Sequence, residues 1–277
     1  MSSIVTQPAI AARSTLKWRI YLMEAALLGF FMVSACGFGV LLFHPRSFVM
    51  SLIPGEFVRL VLMGLTMGAT AVVLIYSRWG KGSGAHMNPA FTLCNLRLGR
   101  ITPTDAMGYI LGQFGGATLG VGLMAIALPG WLDDPGVNYV VTVPGRAGLF
   151  VAWLGEFIIA FVLMLMVQLV NRKANLAPYT GWFAGLLLVV YITFESPLSG
   201  MSLNPARTFG SAIVAQVWTA MWIYFTAPVA GMFAAIELLR LTSPRKHAMC
   251  CKLSHCPRVP CEIRCDCVTH LNEHASA

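Results

Sequence analysis

Charge is what this sequence has least of. Asp, Glu, Lys and Arg together make up 11% of its 277 residues, where a soluble domain typically carries about 25%. The acids are the scarcer sign, 11 against 19 Lys and Arg, which leaves a net charge of +8. So few charges cannot cover the surface of a water-soluble globule. With 57% hydrophobic residues and a mean hydropathy of +0.72, the natural solvent is a lipid bilayer. The basic residues form no single stripe with interleaved aromatics, which excludes a nucleic-acid surface. No nucleophile–base pair and no paired carboxylates occur outside the apolar stretches, which argues against an enzyme. Met1 to Lys17 lacks both an apolar core and a small-residue cleavage site, so no removable signal peptide is expected.

What is present is a set of long apolar runs. Six are able to cross a membrane: Arg19–Phe43, Glu56–Ser77, Asp105–Leu128, Leu149–Val170, Tyr179–Phe194 and Val217–Leu239. A hydrocarbon core of about 30 Å needs about 20 helical residues. An even number of spans puts both termini on one side. With the termini inside, fifteen Lys and Arg lie in cytoplasmic segments and four (Arg46, Arg59, Arg146 and Arg207) on the opposite side. That asymmetry is the one expected when positive loops stay in the cytoplasm, so the excess of positive charge reports topology. The expected organisation is an N-terminal cytoplasmic tail over residues 1–18, a membrane domain over 19–240 and a cytoplasmic tail over 241–277.

The chain also repeats itself. Ser83-Gly-Ala-His-Met-Asn-Pro-Ala90 matches Ser199-Gly-Met-Ser-Leu-Asn-Pro-Ala206, and each follows the second span of a three-span half. Each half opens with a span carrying one acid near its start, Glu24 and Glu156. Three spans per half force the second copy into the membrane upside down, a pattern in which interrupted segments at matching positions mark the conduction or binding site. Asn is a strong N-cap and Pro is favoured at the first helical position, so Asn88-Pro89 and Asn204-Pro205 each start a helix. The first reaches Arg97 and Gly99 within about nine residues, about 13 Å, which is half a bilayer. From Thr208 to Ile236 run 29 uncharged residues, enough for a half-helix, a turn and a full span. Two half-helices entering from opposite faces meet N-terminus to N-terminus at mid-membrane, where irregular backbone survives only if buried in protein or lining a wet cavity. Gly82, Gly84 and Gly200 suit the unwound approaches. Spacings such as Gly64-x-x-x-Gly68, Gly112-x-x-x-Gly116 and Gly181-x-x-x-Gly185 indicate closely packed helices.

Taken together, these segments resemble the aquaporins of the major intrinsic protein family. The resemblance runs from about Leu22 to Leu239, through Gly84-Ala-His-Met-Asn-Pro-Ala90, Leu203-Asn-Pro-Ala-Arg-Thr-Phe-Gly210, Tyr109-Ile-Leu-Gly-Gln113 and Leu176-Ala-Pro178. It implies an all-α membrane protein: a right-handed bundle of six transmembrane helices with two re-entrant half-helices, one pore per subunit, and a homotetramer. It implies passage of water and small neutral solutes with exclusion of protons and ions, and no cofactor for the channel itself. The pore motifs are then Asn88, Pro89, Ala90, Asn204, Pro205 and Ala206. Arg207 becomes the selectivity-filter arginine, with Met201, Ile192 and either Met67 or Gly68 as the remaining filter positions. The last choice stays open because Arg78-Trp-Gly-Lys-Gly82 carries one additional residue against the family spacing. Thr208, Ala212 and Tyr224-Phe225 match water channels more than glycerol facilitators, which remain the alternative solute class. Glu24 and Glu156 are implied to be structural acceptors for the re-entrant loops, and His86 a packed, hydrogen-bonded residue. A secondary transporter with broken helices is the rival from another class, but it would need a coupling acid to spare.

The tail lies outside this resemblance. His247 to His274 holds six cysteines and four histidines. Cys256, Cys261, Cys265, Cys267 and His270 are candidate ligands for a soft metal ion, although their spacing fits no standard zinc motif. A plain tail, with Cys250 and Cys251 lipidated, is the other reading. The channel is expected to conduct without the tail, since every span is complete by Leu239.

Overall fold

A backbone inside lipid must satisfy its polar groups within its own segment, which leaves helices as the only solution for isolated apolar runs. The computed structural model describes residues 17–242 together with Lys252 and Leu253. Its helices in chain order are α1 (Trp18–Phe43), α2 (Phe48–Leu52), α3 (Glu56–Tyr76), α4 (Arg78–Ser83), α5 (Pro89–Arg97) and α6 (Pro103–Ala127). The second half adds α7 (Leu149–Asn171), α8 (Thr180–Phe194), α9 (Ser196–Ser199), α10 (Pro205–Ala215) and α11 (Met221–Thr242). Six of these cross a membrane by length and composition: α1, α3, α6, α7, α11, and α8 with the short 3₁₀ turn Ala177–Tyr179 before it. The six spans and two half-helices expected from the sequence are therefore the observed fold.

The helices pair as an inverted repeat requires. In the first half α1 packs along α6, and in the second α7 packs along α11. The middle spans α3 and α8 meet each other across the boundary between halves. Each half-helix leans on the other half as well, α5 against α11 and α10 against α6. Small residues let these backbones close. A Cβ on Gly112 would stand 2.6 Å from the Tyr21 carbonyl oxygen of α1, and one on Gly68 would stand 2.6 Å from the Gly185 carbonyl oxygen of α8. The three glycine spacings thus serve contacts within the chain.

Boundaries shift where local conformation overrides hydropathy. The last span begins at Met221 rather than Val217, because Gln216 and Ala220 adopt positive φ (57° and 48°) and turn the chain between α10 and α11. It runs on to Thr242, where Arg240 pairs with Glu237 at 3.1 Å. Gly82 lies inside the short helix α4 and not in an unwound segment; Ser77 caps that helix, and the unwinding starts at Gly84 with φ 97°.

Candidate pore and its constriction

The two half-helices start as Asn-Pro predicts. Asn88 Oδ1 accepts from Ala90 N at 2.9 Å; Asn204 Oδ1 accepts from Ala206 N at 3.0 Å and from Arg207 N at 3.3 Å. Each Pro occupies the first turn, where an N–H would have no intrahelical acceptor. Capping fixes which amide atom is which: the oxygen faces its own helix, so the nitrogen must face away. Asn88 Nδ2 donates to the Leu203 carbonyl at 2.8 Å, and Asn204 Nδ2 donates to the Met87 carbonyl at 2.6 Å. Each side chain is therefore tied to the backbone of the opposite repeat. A primary amide has two N–H groups, so each Asn keeps one beyond its crossed bond, while its oxygen is taken up by the cap.

The approach loops carry unusual backbone. Gly84, Ala85 and Met87 have φ of 97°, 53° and 47°, and Gly200, Met201 and Leu203 repeat the pattern at 81°, 48° and 61°. Left-handed conformations cost non-glycine residues about 1–2 kcal/mol each, so something must hold them. Glu24 does so in the first repeat, accepting from Ser83 Oγ (2.6 Å), His86 N (3.1 Å), Met87 N (2.7 Å) and Gln113 Nε2 (2.9 Å). In the second, Glu156 accepts from Ser199 Oγ (2.8 Å), Ser202 N (2.6 Å) and Leu203 N (2.6 Å). Tyr109 and Tyr224 hydroxyls complete the match by donating to the Ser83 and Ser199 carbonyls. Both acids are fully buried.

A cavity of about 260 Å³ runs between these loops. On the face opposite the start of α1 it is bounded by Leu60, Met63, Val140, Met201, Ile192 and Arg207. Asn88 and Asn204 stand midway, and Ala71, Ile75, Leu163, Ala184 and Leu253 line the other end. Most of the wall is apolar, with the polar groups confined to His86, the two Asn, Arg207 and a few Ser. Met67 lines the cavity, whereas Gly68 does not; its missing side chain faces Gly185 instead. His86 packs edge-on to Phe91 and against Tyr109, with Nδ1 3.1 Å from Thr92 Oγ1.

Arg207 follows Asn-Pro-Ala on the first turn of α10, and its Nη1 donates to the Val140 carbonyl at 2.8 Å. That acceptor belongs to the α6–α7 connection, where Asn138, Tyr139 and Val140 all adopt positive φ (43°, 51° and 50°) and fold the loop into the mouth. Thr208 beside it bonds Thr142 Oγ1 at 2.7 Å and also Ser202 Oγ. Just beyond α8, Glu195 is buried next to Gly155. Burial, reinforced by the nearby Glu156 carboxylate, raises its carboxyl to about 9. Sequence reasoning missed Val140, Glu195 and Leu253, and none of them sits in a motif. The proposed metal ligands Cys256, Cys261, Cys265, Cys267 and His270 lie outside the described residues.

Comparison with known proteins gives the class. The sequence profile of the family described as "MIP: Major intrinsic protein" matches residues 11–237, so the chain belongs to the major intrinsic protein family. It is 32% identical to Aquaporin NIP1-3 of Oryza sativa subsp. japonica over 223 residues, which are 79% of this chain and 73% of that protein. It is 33% identical to Aquaporin NIP3-1 of Arabidopsis thaliana over 183 residues, 64% of this chain and 55% of that protein. Among solved structures, the aquaglyceroporin from Plasmodium falciparum superposes with a TM-score of 0.65 at 20% identity, covering 82% of this chain and 97% of that one, which speaks to the fold alone.

Proposed function

We infer that this protein is a passive transmembrane channel for water and small neutral solutes. The observation that carries the reading is the crossed pair Asn88–Leu203 and Asn204–Met87 at the middle of the cavity. A solute oxygen arriving there meets two donors and no acceptor. Its own protons must then point away along the bore, so the hydrogen-bonded file is broken at that point. Two helix N-termini converge on the same place, each equivalent to about half a positive charge, and Arg207 adds a full one further along. Cations and hydronium are repelled while neutral molecules pass. The apolar wall supplies few competing partners, so water slides rather than binds.

Within this reading Arg207, Met201, Ile192 and Met67 form the filter, and Gly68 serves helix packing. Glu24 and Glu156 are structural: their oxygens are occupied by loop donors, so neither is free to serve as the coupling acid of a proton-coupled transporter. The chain is a multi-pass protein of the cell membrane with both termini cytoplasmic, as the distribution of basic residues favours, and it assembles as a homotetramer in the lipid bilayer. The channel needs no cofactor. The Cys/His-rich tail supplies ligands for a soft metal ion, and zinc titration of the reduced full-length protein, with chelator reversal, separates that role from an unliganded tail.

Stopped-flow light scattering on proteoliposomes tests the function. Water flux is expected to be fast, non-saturating and of low activation energy, with no accompanying proton current. Glycerol, urea and hydrogen peroxide, run in parallel, define the solute range. Folded, inserted protein that shrinks vesicles no faster than empty liposomes, both as the full chain and truncated after Lys246, would overturn the reading.

A further inference from the structure

We propose that the C-terminal tail closes this pore, with Leu253 as the plug in the mouth on the face that holds the start of α1 and the end of α11. The inference rests on the channel reading above. Leu253 is only 6% exposed and packs in the same apolar cluster as Ala71, Ile75, Leu163 and Ala184, the residues that line that end of the cavity. Its position is held on both sides by backbone bonds. The Leu253 N–H donates to the Gly84 carbonyl at 2.9 Å, and the Leu253 carbonyl accepts from Asn171 Nδ2 at 2.9 Å.

Gly84 begins the unwound approach to Asn88, so the tail is bonded to the backbone that leads into the pore segment. The fit extends one residue further. Lys252 is buried at 4% exposure, and a Cβ on Gly84 would lie 3.2 Å from Lys252 Cα. An ordinary surface tail covers the outside of a bundle. This one presents an isobutyl group to the bore and a backbone donor to the re-entrant loop at Gly84. Asn171, at the end of α7, supplies the second anchor, and it also accepts from Thr180 Oγ1 at 2.9 Å, which orients its amide. Nine residues separate Thr242 at the end of α11 from Lys252, ample chain to return to the axis of the same subunit.

Leu253 itself is held by one apolar side chain and two neutral hydrogen bonds, a latch that holds a closed state without making it permanent. Vesicle shrinkage, normalised to the number of folded channels, compares the full chain, a truncation after Lys246, Leu253→Ser and Asn171→Ala. Truncation and Leu253→Ser are each expected to raise water permeability about tenfold, and Asn171→Ala by a smaller factor. Leu253→Ser keeps the whole chain, so the result does not depend on how the truncated protein folds. Equal permeability in the full chain, the truncation and Leu253→Ser would overturn the plug while leaving the channel intact. No permeability in any of them, with correct folding and insertion, would overturn the channel reading and the plug with it.

Discussion

Replacing Glu24 by Gln tests whether buried carboxylates hold the re-entrant loops in their left-handed conformation. The substitution keeps size and shape but turns one acceptor oxygen into a donor. Glu24 Oε1 receives Ser83 Oγ and His86 N, and Oε2 receives Met87 N and Gln113 Nε2. Whichever way the new amide turns, two donors face an NH₂ group. A hydrogen bond to a charged acceptor contributes about 1.5–3 kcal/mol, and a buried donor left unmet costs about 1–3 kcal/mol. Relief from burying a charge offsets part of the loss, so a net destabilisation of about 2–4 kcal/mol is expected. One orientation frees Met87 N–H and the other frees that of its neighbour His86, and the Met87 carbonyl anchors Asn204. The damage should therefore reach the pore midpoint and lower water flux more than it lowers folding yield. In Glu156→Gln the better orientation leaves only the Leu203 N–H facing the amide nitrogen, because Oε1 already takes the other two donors. That variant should melt later than Glu24→Gln in detergent and conduct better in vesicles. Wild-type melting and flux in both variants would refute the assignment of these acids as loop acceptors.

Other perturbations follow from the same geometry. Arg207→Val should keep water flux but admit glycerol, urea and protons faster, because it removes both the fixed cation and the side chain held by Val140; unchanged leakage in a folded variant would remove Arg207 from the filter. Gly68→Val should abolish assembly, since its first carbon already stands 2.6 Å from the Gly185 carbonyl oxygen; normal expression and melting would contradict the α3–α8 contact. Glu195 has a carboxyl raised to about 9, so its stabilising share is complete below its ordinary range near 4.5 and is lost as pH rises through about 9. Glu195→Gln should accordingly flatten the fall of thermal stability between pH 6 and pH 9, and equal slopes for variant and parent would refute the buried neutral acid.

How far the sequence could be read depended on whether a feature repeats in the chain or arises from distant segments meeting. The six spans were legible because lipid allows an apolar run of that length only one conformation. Asn88 and Asn204 were legible as helix starts because capping is local chemistry. Their crossed bonds were not, since each donor finds its acceptor in the other repeat. The Val140 carbonyl that receives Arg207 lies in a loop with no hydropathy signal, and a backbone acceptor leaves no trace in residue type. Met67 and Gly68 could not be separated by counting, because the segment with the additional residue winds into α4 and chain distance stops tracking height. Leu253 was hidden for another reason: in a stretch marked by its thiols and imidazoles, one leucine among several apolar residues draws no notice.

The crossed asparagines also set an order of events during synthesis. Asn88 cannot make its second bond until the Leu203 carbonyl exists, 115 residues later in the chain. Nor can Met87 receive its partner before Asn204 has been made, 117 residues on. The first re-entrant loop must therefore wait, capped but unlatched, while three more spans are threaded into the bilayer. Neither half can finish its own pore segment, so a nascent chain released early carries a loop that no later event repairs. Ribosome-arrested chains ending before and after residue 204 would show that wait directly, as a change in the accessibility of Met87 to membrane-permeant oxidant.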